Sequence, residues 1–154
     1  MNYWRLITHH EPRMKGHALA ICHRNSLILL GWGAIGDLRA WQPTTRGQIR
    51  DAILNIPGFA NPQNASNGGT SLWNLYQLMD IGDRVMLVTD RGPRAVVEVV
   101  GEYEWRDDYQ GVQTLPDYHH CRAVQWTDED PEGVSGKLRL PPGMNRYCAL
   151  LPLV

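Results

Sequence analysis

The chain has 154 residues, 43% of them hydrophobic and 20% charged, with a formal net charge of -1. That is the size and balance of one globular domain able to bury a sizeable core. It excludes a helical membrane protein, since no apolar run approaches the roughly 20 residues of a span, and it argues against broad electrostatic capture of nucleic acid. The opening Met1-Asn2-Tyr3-Trp4-Arg5-Leu6 lacks a basic leader ahead of an apolar stretch. Cys22, Cys121 and Cys148 form an odd set without CxxC spacing, the pattern of reduced thiols in a cytoplasmic protein.

In chain order, Tyr3 to Thr8 reads as a first strand. Ser26-Leu27-Ile28-Leu29-Leu30 is a short apolar run ended by Gly31-Trp32-Gly33, hence a buried strand entering a loop. Thr45 with Gln48 has capping-box spacing, and Ile49, Ala52, Ile53 and Ile56 follow at helical spacing until Pro57-Gly58. Asn61 to Gly69, rich in Asn, Gly, Pro and Ser, predicts an exposed, mobile loop. A second helix carries Leu72, Leu75, Tyr76 and Met79 on one face.

Gly82-Asp83 opens a hairpin: Arg84 to Thr89, a turn at Asp90-Arg91-Gly92-Pro93, then Arg94 to Tyr103. Tyr118, His120, Arg122, Val124 and Trp126 alternate strictly, so one strand would carry all five on one face. Lys137 to Leu140 and Tyr147 to Leu151 offer one or two more short strands. No repeat or linker interrupts the chain, so residues 1–154 are expected to form a single α+β domain on a curved sheet or open barrel.

Six tryptophans accompany a single phenylalanine. Trp32 in Gly31-Trp32-Gly33, Trp41 in Arg39-Ala40-Trp41-Gln42-Pro43 and Trp105 in Glu104-Trp105-Arg106-Asp107-Asp108 sit where elements end. Large rings there suit a planar ligand, because a stacked nucleobase gains roughly 1–3 kcal/mol on an aromatic face. Ordinary core or rim packing is the alternative for each. Of the fifteen basic residues only Lys15 and Lys137 are lysines; arginine forks suit phosphates and base edges, though a GC-rich genome has the same effect. The His9-His10 and His119-His120-Cys121 clusters lack the spacing of a closed zinc site, so no metal or other cofactor is expected.

The order Ile28-x-Leu30-Gly31-Trp32, helix pair, Gly82-Asp83-x-Val85, Gly101-x-Tyr103, and Tyr118-x-His120-x-Arg122-x-Val124-x-Trp126 resembles the EVE/YTH-like branch of the PUA superfamily. The likeness runs from about Tyr3 to Trp126 and is closest to the modified-base-reading domains at the front of some methylation-dependent restriction enzymes. It implies a five- or six-stranded PUA-like pseudo-barrel with two or three helices, taking a flipped methylated adenine or cytosine into an aromatic pocket. Trp32 matches one wall of that pocket, flanked by Gly31 and Gly33, and the segment holding Tyr103 and Trp105 is the expected second wall. Asp37 and Trp41 are candidates at the mouth, and Arg91, Arg94 and Arg106 for the nucleic-acid backbone. His120 and Arg122 read as a polar network supporting the pocket, or as a phosphate contact.

The resemblance implies a non-catalytic reader of duplex DNA in restriction or defence, with a nuclease or NTPase motor in the same chain or as a partner. RNA binding is an alternative. So is a small hydrolase, because the related ASCH branch includes amidohydrolases that use a Lys with a nearby Thr and Glu. Only Lys15 and Lys137 are available for that role, and Lys15 lacks those neighbours in sequence. A flat aromatic patch that binds protein is the third possibility.

Overall fold

The computed structural model describes residues 1–58, 61–138 and 147–151, which form six strands and five α-helices. They are β1 (Tyr3–Ile7), α1 (Lys15–Asn25), β2 (Leu27–Leu30), α2 (Leu38–Trp41), α3 (Arg46–Leu54), α4 (Pro62–Trp73), β3 (Arg84–Thr89), β4 (Gly92–Trp105), β5 (His120–Trp126), α5 (Pro131–Lys137) and β6 (Cys148–Leu151). The strands form one mixed sheet in the order β2-β5-β4-β3-β1-β6. The β1–β3 pair is parallel and every other pair is antiparallel.

Period-2 alternation divides the side chains between two faces of this sheet. Trp4 and Leu6 of β1, Ile28 and Leu30 of β2, Val85 and Leu87 of β3, Val97 and Val99 of β4 and Val124 of β5 share one core with Ile49 and Ile53 of α3 and Leu72 of α4. The opposite face is covered twice. Leu27, Leu29 and Cys121 meet Ala18, Ile21 and Cys22, the i, i+3, i+4 stripe of α1. Met86, Val96 and Leu151 meet Val134 of α5 and Leu138. A sheet buried on both faces explains why β2 is an unbroken apolar run.

Two irregularities bend β4 into the curve of an open barrel. Leu87 faces Ala95 but Val88 faces Pro93, leaving Arg94 as the extra residue of a bulge. Val99 faces Val124 but the next pair is Tyr103 with Arg122, so β4 gains two residues around Gly101. A Cβ on Gly101 would stand 3.0 Å from that of Ala123.

Several expectations need correction. Asn61 to Gly69 is helix, not loop: the Asn61 side chain caps α4 by accepting from the Gln63 and Asn64 N–H groups. Burial of Ala65, Gly68, Gly69 and Leu72 at i, i+3, i+4, i+7 overrides the weak propensity of this stretch. The second helix closes in a π-helical turn over Asn74–Leu78. The expected two or three helices are five, because α1 and α5 lie where polar residues and glycines interrupt the apolar stripe. Thr45 caps α3 by accepting from the Gln48 N–H, but the Gln48 side chain returns to the Thr44 N–H. Lys137 ends α5, and Leu138 makes an isolated bridge; Arg139 and Leu140 of the expected strand lie outside the described residues.

Candidate functional site

A cavity of about 270 Å³ opens where the first and last strands of the sheet order approach each other. Ile7 leaves β1, Leu30-Gly31-Trp32 leaves β2, Tyr118 precedes β5 and Tyr147 precedes β6, and all of them line it. His10, Asn64 and Asp117 supply the polar part of the wall. Three rings, an amide, a carboxylate and an imidazole therefore converge on a space large enough for one small planar group.

Trp32 is held from several directions. Its backbone is left-handed, at φ 61°, so the chain turns sharply as β2 ends. His120, fully buried, has Nε2 3.1 Å from the Trp32 carbonyl oxygen. The indole Nε1–H donates to Asn64 Oδ1 at 3.2 Å, and the indole edge meets the Tyr147 ring at 5.6 Å between centroids. Gly68 of α4 lies flat beneath it: a Cβ there would be 2.7 Å from Trp32 Cε2 and 2.6 Å from Ile53 Cδ1. Trp32 is thus 8% exposed and part of the main core as well as of the cavity. The sequence suggests a loop ring set apart from the core; the close approach of α4 makes it both.

Tyr118 is placed by the turn before β5. Its carbonyl accepts from the Tyr109 hydroxyl at 2.7 Å, and its own hydroxyl oxygen accepts the His10 N–H at 3.1 Å. His10 Nδ1 is also within hydrogen-bond distance of that hydroxyl, at 3.0 Å. The Gly33 N–H donates to the Asp117 carbonyl at 2.9 Å, tying the Trp32 turn to the Tyr118 turn. Only glycine fits there, since a Cβ on Gly33 would lie 2.7 Å from the Asp117 oxygen. Tyr147 is anchored through its N–H to Ser71 Oγ at 3.1 Å and through its carbonyl to the Ile7 N–H at 2.8 Å.

Tyr103 and Trp105 do not face Trp32 across this cavity. The Tyr103 hydroxyl lies 2.6 Å from His120 Nδ1 and accepts the Leu38 N–H at 3.2 Å, so the buried imidazole stands between Tyr103 and the Trp32 backbone. Tyr103 instead lines a second, more open cavity of about 490 Å³ together with Tyr76, Arg39, Arg122, Asp80 and Glu102. Trp105 lies against His119, at 4.8 Å between centroids, and edge-on to His120. Beyond the bulge around Gly101, Tyr103 pairs with Arg122 and Trp105 with His120.

The remaining candidates are dispersed. Asp37 caps α2, accepting from the Arg39 N–H, and pairs with the Arg39 guanidinium at 3.0 Å. Burial raises its pKa, but the hydrogen bonds from Arg39 outweigh burial and the net shift is downward. Trp41 is 39% exposed at the end of α2. Arg91 and Arg94 project from the β3–β4 hairpin tip, which the Thr8 N–H to Val88 carbonyl bond joins to the β1 exit. Arg106 follows β4, pairs with Asp108 at 3.1 Å and shares backbone bonds with His119.

His120 and Arg122 are buried and satisfied: Arg122 donates to the carbonyls of Leu75 and Gly101 at 2.7 and 3.0 Å, holding the π-helical turn against β4. Tyr118 leaves the expected alternation, because β5 begins only at His120 and Tyr118 packs in the α1 core. Burial pushes the thiols of Cys22, Cys121 and Cys148 up to about 12, which leaves them without thiolate character near neutral pH. Among the described residues, no three of His, Cys, Asp or Glu converge as metal ligands, and no helix is long and apolar enough to cross a membrane.

Among the wall residues that sequence reasoning missed are His10, Asn64, Asp117, Tyr118 and Tyr147. Asn64 was hidden in a stretch that reads as loop, and Tyr118 in an alternation that reads as strand. Tyr147 carries no local signal.

A family model matches residues 4–139, a span that includes Trp32, Asn64, Asp117 and Tyr118 and stops short of Tyr147. The chain belongs to the family described as a domain of unknown function, DUF8426. No curated protein matches it. Most of the cavity wall, contributed by β1, β2, α4 and the turn before β5, therefore lies within the part that defines DUF8426.

Proposed function

We propose that the chain is a non-catalytic nucleic-acid-binding module that accepts a flipped, methylated adenine or cytosine in the Trp32–Tyr118–Tyr147 cavity. One observation carries this reading: three aromatic side chains and one amide converge on a single cavity of about 270 Å³ at the seam of an open, barrel-like sheet. A site just below the roughly 300–1,000 Å³ of drug-sized ligand pockets fits one base rather than an oligomer. Ring walls supply roughly 1–3 kcal/mol of stacking per base, against a few kcal/mol to unstack it from a duplex. Asn64 Oδ1 is engaged by Trp32, so its Nδ2 protons remain to meet a ring nitrogen or carbonyl on the base edge.

The same reading makes the fold a PUA-like pseudo-barrel and gives the exposed arginines a task. Arg91 and Arg94, on the hairpin tip joined to the β1 exit, and Arg106, bonded to His119, are its candidates for the phosphates flanking a flipped nucleotide. Lys15 and Lys137 line neither of these two cavities.

The direct test is a binding panel of short duplexes and single strands, each with one modified base at its centre, measured by fluorescence anisotropy. Preference for at least one modified base over its unmodified parent is expected, with loss of that preference in Tyr118→Ala. Equal affinity for every member of the panel by folded protein would remove the reader assignment.

A further inference from the structure

Resting on the base-reader reading, we infer that the base this cavity selects is positively charged, with the Asp117 carboxylate as its counter-charge. The class is adenine methylated at N1 or cytosine methylated at N3.

The argument begins with the charges of the wall. Among the described residues no lysine or arginine lines the cavity, and Asp117 is the one carboxylate there. That carboxylate makes no hydrogen bond or ion pair among the described residues. Asp117 sits in a left-handed turn, at φ 76°, and its carbonyl is fixed by the Gly33 N–H. His10 is the other titratable group facing the cavity, and Glu11 Oε1 lies 3.8 Å from its Nε2.

The aromatic part of the wall is Trp32, Tyr118 and Tyr147, set among Ile7, Leu30, Gly31 and Asn64. Rings around a cation, with one carboxylate at the mouth, favour a charged planar ligand over a neutral one of the same size. The second cavity lacks this bias, because Arg39 and Arg122 face Asp80 and Glu102 there.

Chemistry narrows the ligand further. Methylation at N1 of adenine or N3 of cytosine leaves the base cationic at neutral pH and places the methyl group on the Watson–Crick edge. Such a base cannot pair, so extruding it costs less than extruding a paired one. Methylation of the exocyclic nitrogen gives isomers of equal size that are neutral and still pair. Two matched pairs thus separate charge from shape.

The test measures affinity at neutral pH for single strands carrying one 1-methyladenine, N6-methyladenine, 3-methylcytosine, N4-methylcytosine or unmodified base. The cationic isomer of each pair should bind about tenfold more tightly than its neutral isomer. Asp117→Asn should collapse that ratio without changing the melting temperature, whereas Glu132→Gln, on the exposed start of α5, should leave it intact. A neutral isomer bound equally or better, yet above the unmodified strand, overturns the charge inference and leaves the reader standing. An unchanged ratio in Asp117→Asn overturns the role of Asp117. No modified strand bound above the unmodified one overturns both.

Discussion

The Trp32 carbonyl oxygen and His120 Nε2 lie 3.1 Å apart in the interior, and this one contact fixes the state of the imidazole. A carbonyl can only accept, so Nε2 carries the hydrogen. Nδ1 is then the acceptor for the Tyr103 hydroxyl at 2.6 Å, whose oxygen in turn accepts the Leu38 N–H. His120 is neutral, in one tautomer, with every polar atom used.

Acid should therefore weaken the fold before it touches the carboxylates. Burial lowers His120 from 6.5 to about 4, and burial together with His10 lowers His9 similarly. In the interval between those values the unfolded chain takes up protons that the folded chain refuses. The stability at stake is complete above about 6.5 and is lost as pH falls towards about 4, at up to about 1.4 kcal/mol per pH unit for His120. Urea midpoints measured across this window should fall steadily, and a flat profile would contradict a neutral buried imidazole. NMR should show the His120 ring protons constant down to the foot of the window.

Gly68→Ala should destabilise the protein, although alanine is the better helix former. Propensity alone favours the substitution by about 1 kcal/mol. The new methyl would lie 2.6 Å from Ile53 Cδ1 and 2.7 Å from Trp32 Cε2, and overpacking of this kind costs typically 1–3 kcal/mol. Thermal melts decide the sign, and the Trp32 emission spectrum should shift at the same time. A raised melting temperature would mean that α4 stands further from the cavity than described.

At Tyr118, the ring and the hydroxyl should separate cleanly. Tyr118→Phe removes the bond to His10 but keeps the wall, so base affinity should stay within a few-fold. Tyr118→Ala removes a stacking face worth roughly 1–3 kcal/mol, about 5- to 150-fold in Kd. Equal losses in the two variants would assign the work to the hydroxyl instead.

Asp83→Asn should be among the most damaging polar substitutions. The buried carboxylate accepts from the Asn2 N–H, Trp4 Nε1 and the Asp80 N–H at 2.9, 2.8 and 3.0 Å. Burial raises its pKa, but these donors outweigh it and the net shift is downward. An amide would turn two hydrogens toward groups that are themselves donors, at about 2–3 kcal/mol. Chemical denaturation of the variant measures the loss, and a change below about 0.5 kcal/mol would refute the network.

The strands were legible because their periodicity is local: β1, β2, β3 and β4 begin and end within a residue or two of where alternation and turn residues place them. Helix α4 was hidden because its buried face is made of Ala65, Gly68 and Gly69, chosen for thinness against Trp32 and α3 and not for helix propensity. Trp32 was legible as a special position, since Gly-Trp-Gly after an apolar run marks a turn. Its neighbours Tyr118 and Tyr147 were not, because they reach it only through the tertiary fold, Tyr118 across the β2–β5 pair and Tyr147 from just before β6, 86 and 115 residues further along the chain.

The seam location of the cavity has a mechanical consequence. Trp32 and Tyr118 belong to the β2–β5 side of the sheet, Ile7 and Tyr147 to the β1–β6 side, and few covalent or ladder connections join those two sides directly. A ligand between them acts as a clasp, fastening one margin of the sheet to the other. Saturation should therefore retard hydrogen exchange in β1, β2 and β6 well before it affects the β3–β4 hairpin, and at a hundredfold excess over Kd it should add about 2.7 kcal/mol to global stability.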